Sequence, residues 1–501
     1  MSDALTLAID VGTGSARAAL VDGAGGVLGV ASREHDQIVP AFGWSEQRPE
    51  DWWRGTAEAV REALDRVPGA ASRVTAVTAC GQMHATVLLD ADGRLVRDAV
   101  PLWNDKRTAA HVAAYEARRA PADYLARTAN PATPAWPAFK LQWLQGDDPE
   151  AYARAAVTLA PKDYVNFRLS GELATDRTEA ACSFLMDPRT GDWSAETCAE
   201  LGLDARILPP IREPAETLGA VTREAAAETG LAAGTPVVVG ASDYAAALLG
   251  SGVCRPGTGS EMLGTSCIVT LVAERPLLDP EISNIGTVEG GWGAFMLLES
   301  GGDAVRWARR ALHGGELDYA GIVALAARAP AGSDGLFFLP YLVGERLGAH
   351  RNARAQFFGL GAAHGTEHLD RAVLEGVAFG VARHVDILER AAGTRLERLV
   401  AAGGGSRTDL WLRIKASAYG VPILVPAEPE CGLVGCAAIA GVATGRFGSA
   451  REAADALVRH EREILPDPDW AERYARMRPV FDRLYAHSRA LYDDLDALAA
   501  P

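Results

Sequence analysis

The stretch Leu7-Ala8-Ile9-Asp10-Val11-Gly12-Thr13-Gly14-Ser15 sets the frame for the whole chain. Its apolar run reads as a buried strand that ends in a carboxylate, then in two glycines and two hydroxyl residues. The chain resumes as Ala16-Arg17-Ala18-Ala19-Leu20-Val21 and turns at Asp22-Gly23, which gives strand, tight turn, strand. Glycine lets backbone amides approach a ligand with no Cβ in the way. The amides of such a turn, with the Thr13 and Ser15 hydroxyls, suit an anion such as a phosphate. Asp10 at the strand end is then placed to hold a hydrated magnesium ion on that phosphate. Read alone, the stretch also fits an ordinary hairpin with a glycine turn. It is not a dinucleotide-binding loop, which needs a third glycine and a helix directly after it. Nor is it a P-loop: Lys106, Lys140, Lys162 and Lys415 are the only lysines, and none follows a glycine.

Working outward, the second half repeats the pattern. Ser260-Glu261-Met262-Leu263-Gly264-Thr265-Ser266 is again strand, glycine, hydroxyls, followed by the apolar run Ile268 to Val272. This is a weak internal repeat. Leu399 to Ala402 then runs into Gly403-Gly404-Gly405-Ser406 and an amphipathic helix, a strand–loop–helix geometry that suits a nucleotide. In the first half, Val74 to Thr78 leads into Cys80-Gly81-Gln82-Met83-His84, and Pro236 to Gly240 is a buried strand leading into Asp243-Tyr244 and a small-residue helix through Gly250. The crossover between halves is placed just after that helix. The tail from Ala450 reads as helical and surface-like.

Composition narrows the class. The chain has 501 residues, 48% of them hydrophobic and 23% charged, with a net charge of −16. These figures describe a globular enzyme of two or more domains. The acidity argues against a nucleic-acid partner. No apolar run is long enough to span a membrane and no amino-terminal signal is evident, so a cytoplasmic protein is expected. Seven cysteines are scattered without a Cys-x-x-Cys pair, which favours reduced thiols over a zinc site. His364 and His368 lie four apart, but the Glu of a zincin helix is misplaced.

Two glycine-hydroxyl hairpins in two halves, with a later glycine loop, resemble the actin-like ATPase fold. Within that superfamily the chain resembles the FGGY carbohydrate kinases, most of all their xylulokinase branch. The resemblance is carried in order by Asp10 to Ser15, Gly81 to His84, Leu102 to Asp105 with Arg107, Asp243, Leu263 to Ser266, Leu339 to Arg346, Phe357 to Leu360, Arg371 to Gly376, and Gly403 to Arg407. It implies an α/β, two-domain, ribonuclease H-like fold, each domain a mixed sheet flanked by helices. Residues 1–250 are the expected sugar-site domain and 251–501 the expected adenosine-site domain. It further implies transfer of the ATP γ-phosphate to a sugar hydroxyl, with D-xylulose the expected acceptor and ribulose, gluconate or erythritol as alternatives. A chaperone-like ATPase is a more distant reading.

The resemblance assigns roles residue by residue. Asp243 matches the catalytic base, and Asp10, with Asp243, the carboxylates at Mg2+. Gln82, Met83, His84, Trp103, Asn104 and Asp105 match positions around the sugar. Gly12, Thr13, Gly14, Ser15 and Arg17 of the first turn and Gly264, Thr265 and Ser266 of the second match the phosphate grip. Gly403, Gly404, Gly405 and Ser406 are expected to face the nucleotide. Read from residues alone, Asp105 and Arg107 form a surface salt bridge. One departure is Tyr244, where the branch commonly carries Asn; a phenol beside the base is expected to reshape the pocket. A homodimer is the base-rate expectation for quaternary state.

Overall fold

A computed structural model describes residues 4–345, 351–403 and 408–499. Gly404, Gly405 and Ser406 lie outside the described residues. The first half builds a six-stranded sheet from β1 (Leu5–Val11), β2 (Ser15–Val21), β3 (Val27–Glu34), β4 (Val74–Gly81), β5 (Thr217–Ala220) and β6 (Pro236–Ser242). Their order across the sheet is β5-β6-β4-β1-β2-β3. β1 pairs antiparallel with β2 and parallel with β4, and β4 pairs parallel with β6. Helix α1 (Pro49–Arg66) starts on its proline and buries Trp52, Trp53, Ala57, Val60 and Leu64, the stripe expected of an amphipathic helix. Helix α2 (Pro161–Ser170) and α3 (Asp243–Gly250) complete the packing around β4 and β6.

The second half builds β7 (Thr258–Leu263), β8 (Cys267–Ala273), β9 (Ser283–Gly286), β10 (Trp292–Leu298), β11 (Arg398–Gly403), β12 (Ile423–Pro426) and β13 (His460–Ile464), ordered β9-β10-β8-β7-β11-β12-β13. Here too the hairpin strand β7 pairs antiparallel with β8 and parallel with β11, and β11 pairs parallel with β12. Five strands of each sheet therefore share one pattern, and the repeat read from two turns extends through both sheets. Helices α4 (Gly302–His313), α5 (Thr366–Ala392), α6 (Asp409–Tyr419), α7 (Cys431–Ala443) and α8 (Pro468–Ala499) follow in order. Gly376 of α5 has no room for a side chain: a Cβ there would stand 2.2 Å from the Phe338 carbonyl oxygen.

Two features depart from the sequence reading. The tail is not a helical surface appendage. Residues 460–464 add an edge strand to the second sheet, and α8 buries Tyr474, Phe481, Tyr485 and Tyr492 against the core. Their neighbours are charged, which hides the apolar face in the sequence. Helix α7, late in the chain, packs on α3, β1 and β4 of the first half, with Leu433, Val434 and Ile439 in that half's core. All seven cysteines are buried and unlinked. Among the described residues no helix is long and apolar enough to cross a membrane.

Candidate active site

Parallel strands present their carboxyl-terminal ends side by side, and the first sheet uses this to bring two carboxylates together. Asp10 near the end of β1 and Ala241–Ser242 at the end of β6 flank the same stretch of β4, Cys80–Gly81. Asp243 follows as the first residue of α3. Both aspartates line a cavity of about 450 Å³ whose walls come from both halves: Gly12, Arg17 and Asp243 on one side, Met262, Gly403 and Glu430 on the other. Burial pushes Asp243 up to about 7, Asp10 adds repulsion, and the Tyr244 amide pulls weakly the other way. Burial likewise pushes Asp10 up to about 6, against the pull of Arg17. Arg17 is itself ion-paired with Glu430, at 2.6 Å. The Asp243 carboxylate accepts the Tyr244 amide at 2.6 Å.

The first turn is held from behind mainly by side chains, with one main-chain bond from His35 N to the Gly14 carbonyl at 3.2 Å. The Gly12 carbonyl bonds His35 Nε2 at 2.8 Å, and the Thr13 carbonyl accepts Gln47 Nε2 at 2.6 Å. Trp103 donates its indole N–H to the Thr13 hydroxyl at 3.1 Å. Gln82 donates to Gln47 Oε1 at 2.9 Å. Two expected sugar-site residues thus also steady the first turn. With these carbonyls engaged, the amide edge is what the turn can offer an anion. The second turn is held by main chain. Gly302 N and Asp303 N, at the start of α4, donate to the carbonyls of Gly264 and Thr265, each at 3.0 Å. Gly264 and Thr265 are exposed, and a Cβ on Gly264 meets open space. Gly403 keeps φ at +83°, and a Cβ there would stand 2.5 Å from the Leu263 carbonyl oxygen, so the strand-to-loop step needs glycine.

The remaining expected sugar residues fall in two places. Trp103, Asn104 and Asp105 line a second cavity of about 450 Å³, whose far wall carries Glu299, Val343 and Glu345. Asp105 and Arg107 are not a surface pair, as their sequence suggested. Both side chains are 1% exposed and paired at 2.7 Å. Arg107 also meets Glu46 and lies over Trp44, 3.7 Å from the ring centroid, and Asp105 accepts the Ser45 amide at 2.6 Å. Met83 packs in the first half's core. His84 adopts φ +70°, its carbonyl accepts Lys140 Nζ at 2.7 Å, and its ring stands edge-on to Trp136. Burial, with Lys140 nearby, drives His84 down to about 3, so its ring is neutral at physiological pH. It borders a small space shared with Glu179 and Ser183. The Tyr244 phenol lines the Asp10–Asp243 cavity and bonds Thr270 Oγ1 of β8 at 2.6 Å, tying α3 to the second sheet.

Sequence reasoning missed Glu430, Gln47 and the buried lysines behind β6 and under His84. One signal was available. All but four of the 49 basic residues are arginine, and Lys140, Lys162 and Lys415 are fully buried. A chain that reserves lysine for so few positions marks them. No cluster of three or more His, Cys, Asp or Glu able to hold a metal occurs among the described residues. The Asp10–Asp243 pair fits Mg2+ instead, which is commonly held by one or two carboxylates together with substrate phosphates.

Comparison with known proteins agrees with this geometry. The sequence model of the FGGY family of carbohydrate kinases matches with its N-terminal domain over residues 5–250 and its C-terminal domain over residues 260–444. The xylulose kinase of Escherichia coli (strain K12) is 33% identical over 96% of this chain and 98% of its own length. That of Bacillus subtilis (strain 168) is 30% identical over 97% of each. Among solved structures, the xylulose kinase from Rhodospirillum rubrum superposes with a TM-score of 0.91 at 32% identity, covering 98% of this chain and all of that one.

Proposed function

Since the chain belongs to the FGGY family of carbohydrate kinases, and so is an ATP-dependent sugar phosphotransferase, we propose that its acceptor is D-xylulose and its product the 5-phosphate. The observation that carries the phosphoryl-transfer chemistry is the Asp10–Asp243 pair on one cavity between the two halves, each carboxylate raised by burial, and the likeness to xylulose kinases over nearly the whole chain supports the acceptor. In this reading residues 1–250 hold the sugar and the first phosphate turn, and residues 251–501 the second turn and the adenosine.

Asp243 acts as general base. A carboxylate poised near neutrality accepts a hydroxyl proton more readily than one at its ordinary value. Asp10 would hold Mg2+, which when bound neutralises charge on the phosphates and leaves Asp243 to take the proton. The two glycine turns donate amides to the phosphate oxygens, and Arg17 balances charge beside Asp10. Phosphoryl transfer leaves little covalent work to the protein, so placement and charge carry the rate. The Asn104 amide, whose Oδ1 is buried without a partner among the described residues, suits an uncharged polyhydroxyl acceptor in the second cavity, while the neutral His84 ring borders a separate, smaller space. We place the reaction in the cytoplasm, in keeping with seven unlinked thiols.

ADP release, measured against a panel of D-xylulose, D-ribulose, gluconate and erythritol, tests the proposal. The expected result is release that depends on sugar and is fastest with D-xylulose. A higher kcat/KM for another acceptor overturns the assignment, and release independent of any sugar overturns the kinase chemistry itself.

A further inference from the structure

The strand that delivers Asp243 is not regular. The register of β6 against β4 shifts between Val238 and Ala241, and Gly240 sits at φ +77°. A Cβ on Gly240 would come within 1.9 Å of the Ala79 carbonyl oxygen. Such a bulge re-aims the residues that follow it and releases backbone groups from the ladder. Both released ends here close on one buried ammonium. The Val239 carbonyl accepts Asn166 Nδ2 at 2.8 Å and Lys162 Nζ at 3.4 Å. Past the bulge, the Ser242 amide donates to the Thr178 hydroxyl at 2.9 Å. That hydroxyl donates in turn to Asp176, whose other oxygen is ion-paired with Lys162 at 2.8 Å. Lys162, Asp176, Thr178 and Ser242 have no exposed surface. The Ser242 hydroxyl caps α3, accepting the Ala245 amide at 3.4 Å, and the next residue is Asp243.

We infer that Lys162, Asp176 and Thr178 are positioning residues for Asp243: their closed circuit fixes the angle at which β6 hands its carboxylate to the cavity. Apolar side chains of the same volume would often stabilise a core as well as a buried ion pair does, so stability alone does not account for this one. None of the three is assigned to the site by its lining. Lys162 and Thr178 act through main chain, one on each side of the bulge. The inference rests on the reading of Asp243 as the base.

The test compares steady-state kinetics of Thr178→Val, Thr178→Ser and Asn166→Ala, with Asp243→Asn in parallel and the melting temperature of each recorded. Thr178→Val is expected to lower kcat by about 10- to 100-fold with both KM values within about threefold of the parent. Thr178→Ser, which keeps the hydroxyl, is expected to restore kcat to within about threefold. Asn166→Ala, which loosens the bulge from its other side, is expected to lower kcat by about three- to tenfold and decides the matter if Thr178→Val does not fold. A folded Thr178→Val with unchanged kcat, a loss that falls on KM, or failure of Thr178→Ser to restore the rate overturns the inference. If Asp243→Asn retains turnover, the assignment of the base has failed; if only Thr178→Val is silent, that assignment stands and the positioning role does not.

Discussion

The two glycine turns occupy matching places in matching sheets, yet the strands that lead into them end differently. Asp10 stands one residue before the last of β1, and Met262 one residue before the last of β7. Asp10 pairs with Arg17 and Cys80, and Met262 with Ile268 and Ala402. Both line the same cavity. One half therefore brings a carboxylate and a guanidinium to a shared space, and the other brings Met262 there in place of the carboxylate, while Ile268, the counterpart of Arg17, is not part of the lining. The supports differ too. Side chains of His35, Gln47 and Trp103, with one main-chain bond from His35 N to the Gly14 carbonyl, hold the first turn, whereas main chain at the start of α4 holds the second. A duplicated frame has thus been divided: the first turn is wired to the segments that carry Gln82 and Trp103, and the second is a fixed platform on a helix end.

The largest effect should come from erasing that asymmetry. Asp10→Met gives the first strand the ending of the second. It removes the proposed metal carboxylate, and kcat in the ADP-release assay is expected to fall about 10³-fold or more. Adding Met262→Asp to it should not restore the rate, because Asp243 belongs to the first sheet. A loss smaller than tenfold, or rescue by the second substitution, would break the comparison.

The raised carboxylates give the next effect, with a sign that can be checked. The Asp243 carboxyl lies near 7 in the folded protein against 3.8 ordinarily, so the native state holds its proton more tightly than the unfolded one. Its ionisation then opposes folding progressively from about pH 4 to 7 and fully above that. Asp243→Asn should abolish turnover yet raise the stability of the metal-free protein at pH 8 by about 1–2 kcal/mol, the residue being only partly enclosed. At about 1 °C per kcal/mol for a chain of 501 residues, this is measurable in replicate melting curves. The gain should vanish near pH 4, and a melting temperature that drops at pH 8 would contradict the electrostatic account.

How much of this was legible in the sequence follows from where the signals reside. Glycine and hydroxyl punctuation is local, so both turns and their strands could be read, as could Asp243 after an apolar run. Burial by distant partners is not local. Asp105 and Arg107 look like a surface pair because Trp44, Glu46 and Trp143 lie far from them in sequence. Tyr244 was visible as a bulky neighbour of the base, but its bond to Thr270 depends on how the two sheets meet. The edge strand His460–Ile464 was hidden because four of its five residues are polar or charged, as befits a strand with one open side. The bulge at Gly240 left a glycine in a buried strand as its one trace.

The smallest effect sharpens the contrast between the two supports. Gln47→Leu removes the donor to the Thr13 carbonyl and the acceptor for Gln82 and Trp52, so the first turn loses its tie to Gln82 and to α1. Gly264→Ala alters the second turn without disturbing its support, since the added methyl meets open space and Gly302 still binds the Gly264 carbonyl. Gln47→Leu should raise KM for ATP about tenfold and carry a stability cost of about 1–3 kcal/mol from the partners it strands. Gly264→Ala should leave stability within about 0.5 kcal/mol. Any rise in its KM for ATP then reports how near the phosphates come to that amide edge, because none of the described residues opposes the methyl. If Gly264→Ala destabilises the fold as much as Gln47→Leu does, the second turn is not the fixed platform described here, and the division of labour between the two hairpins falls with it.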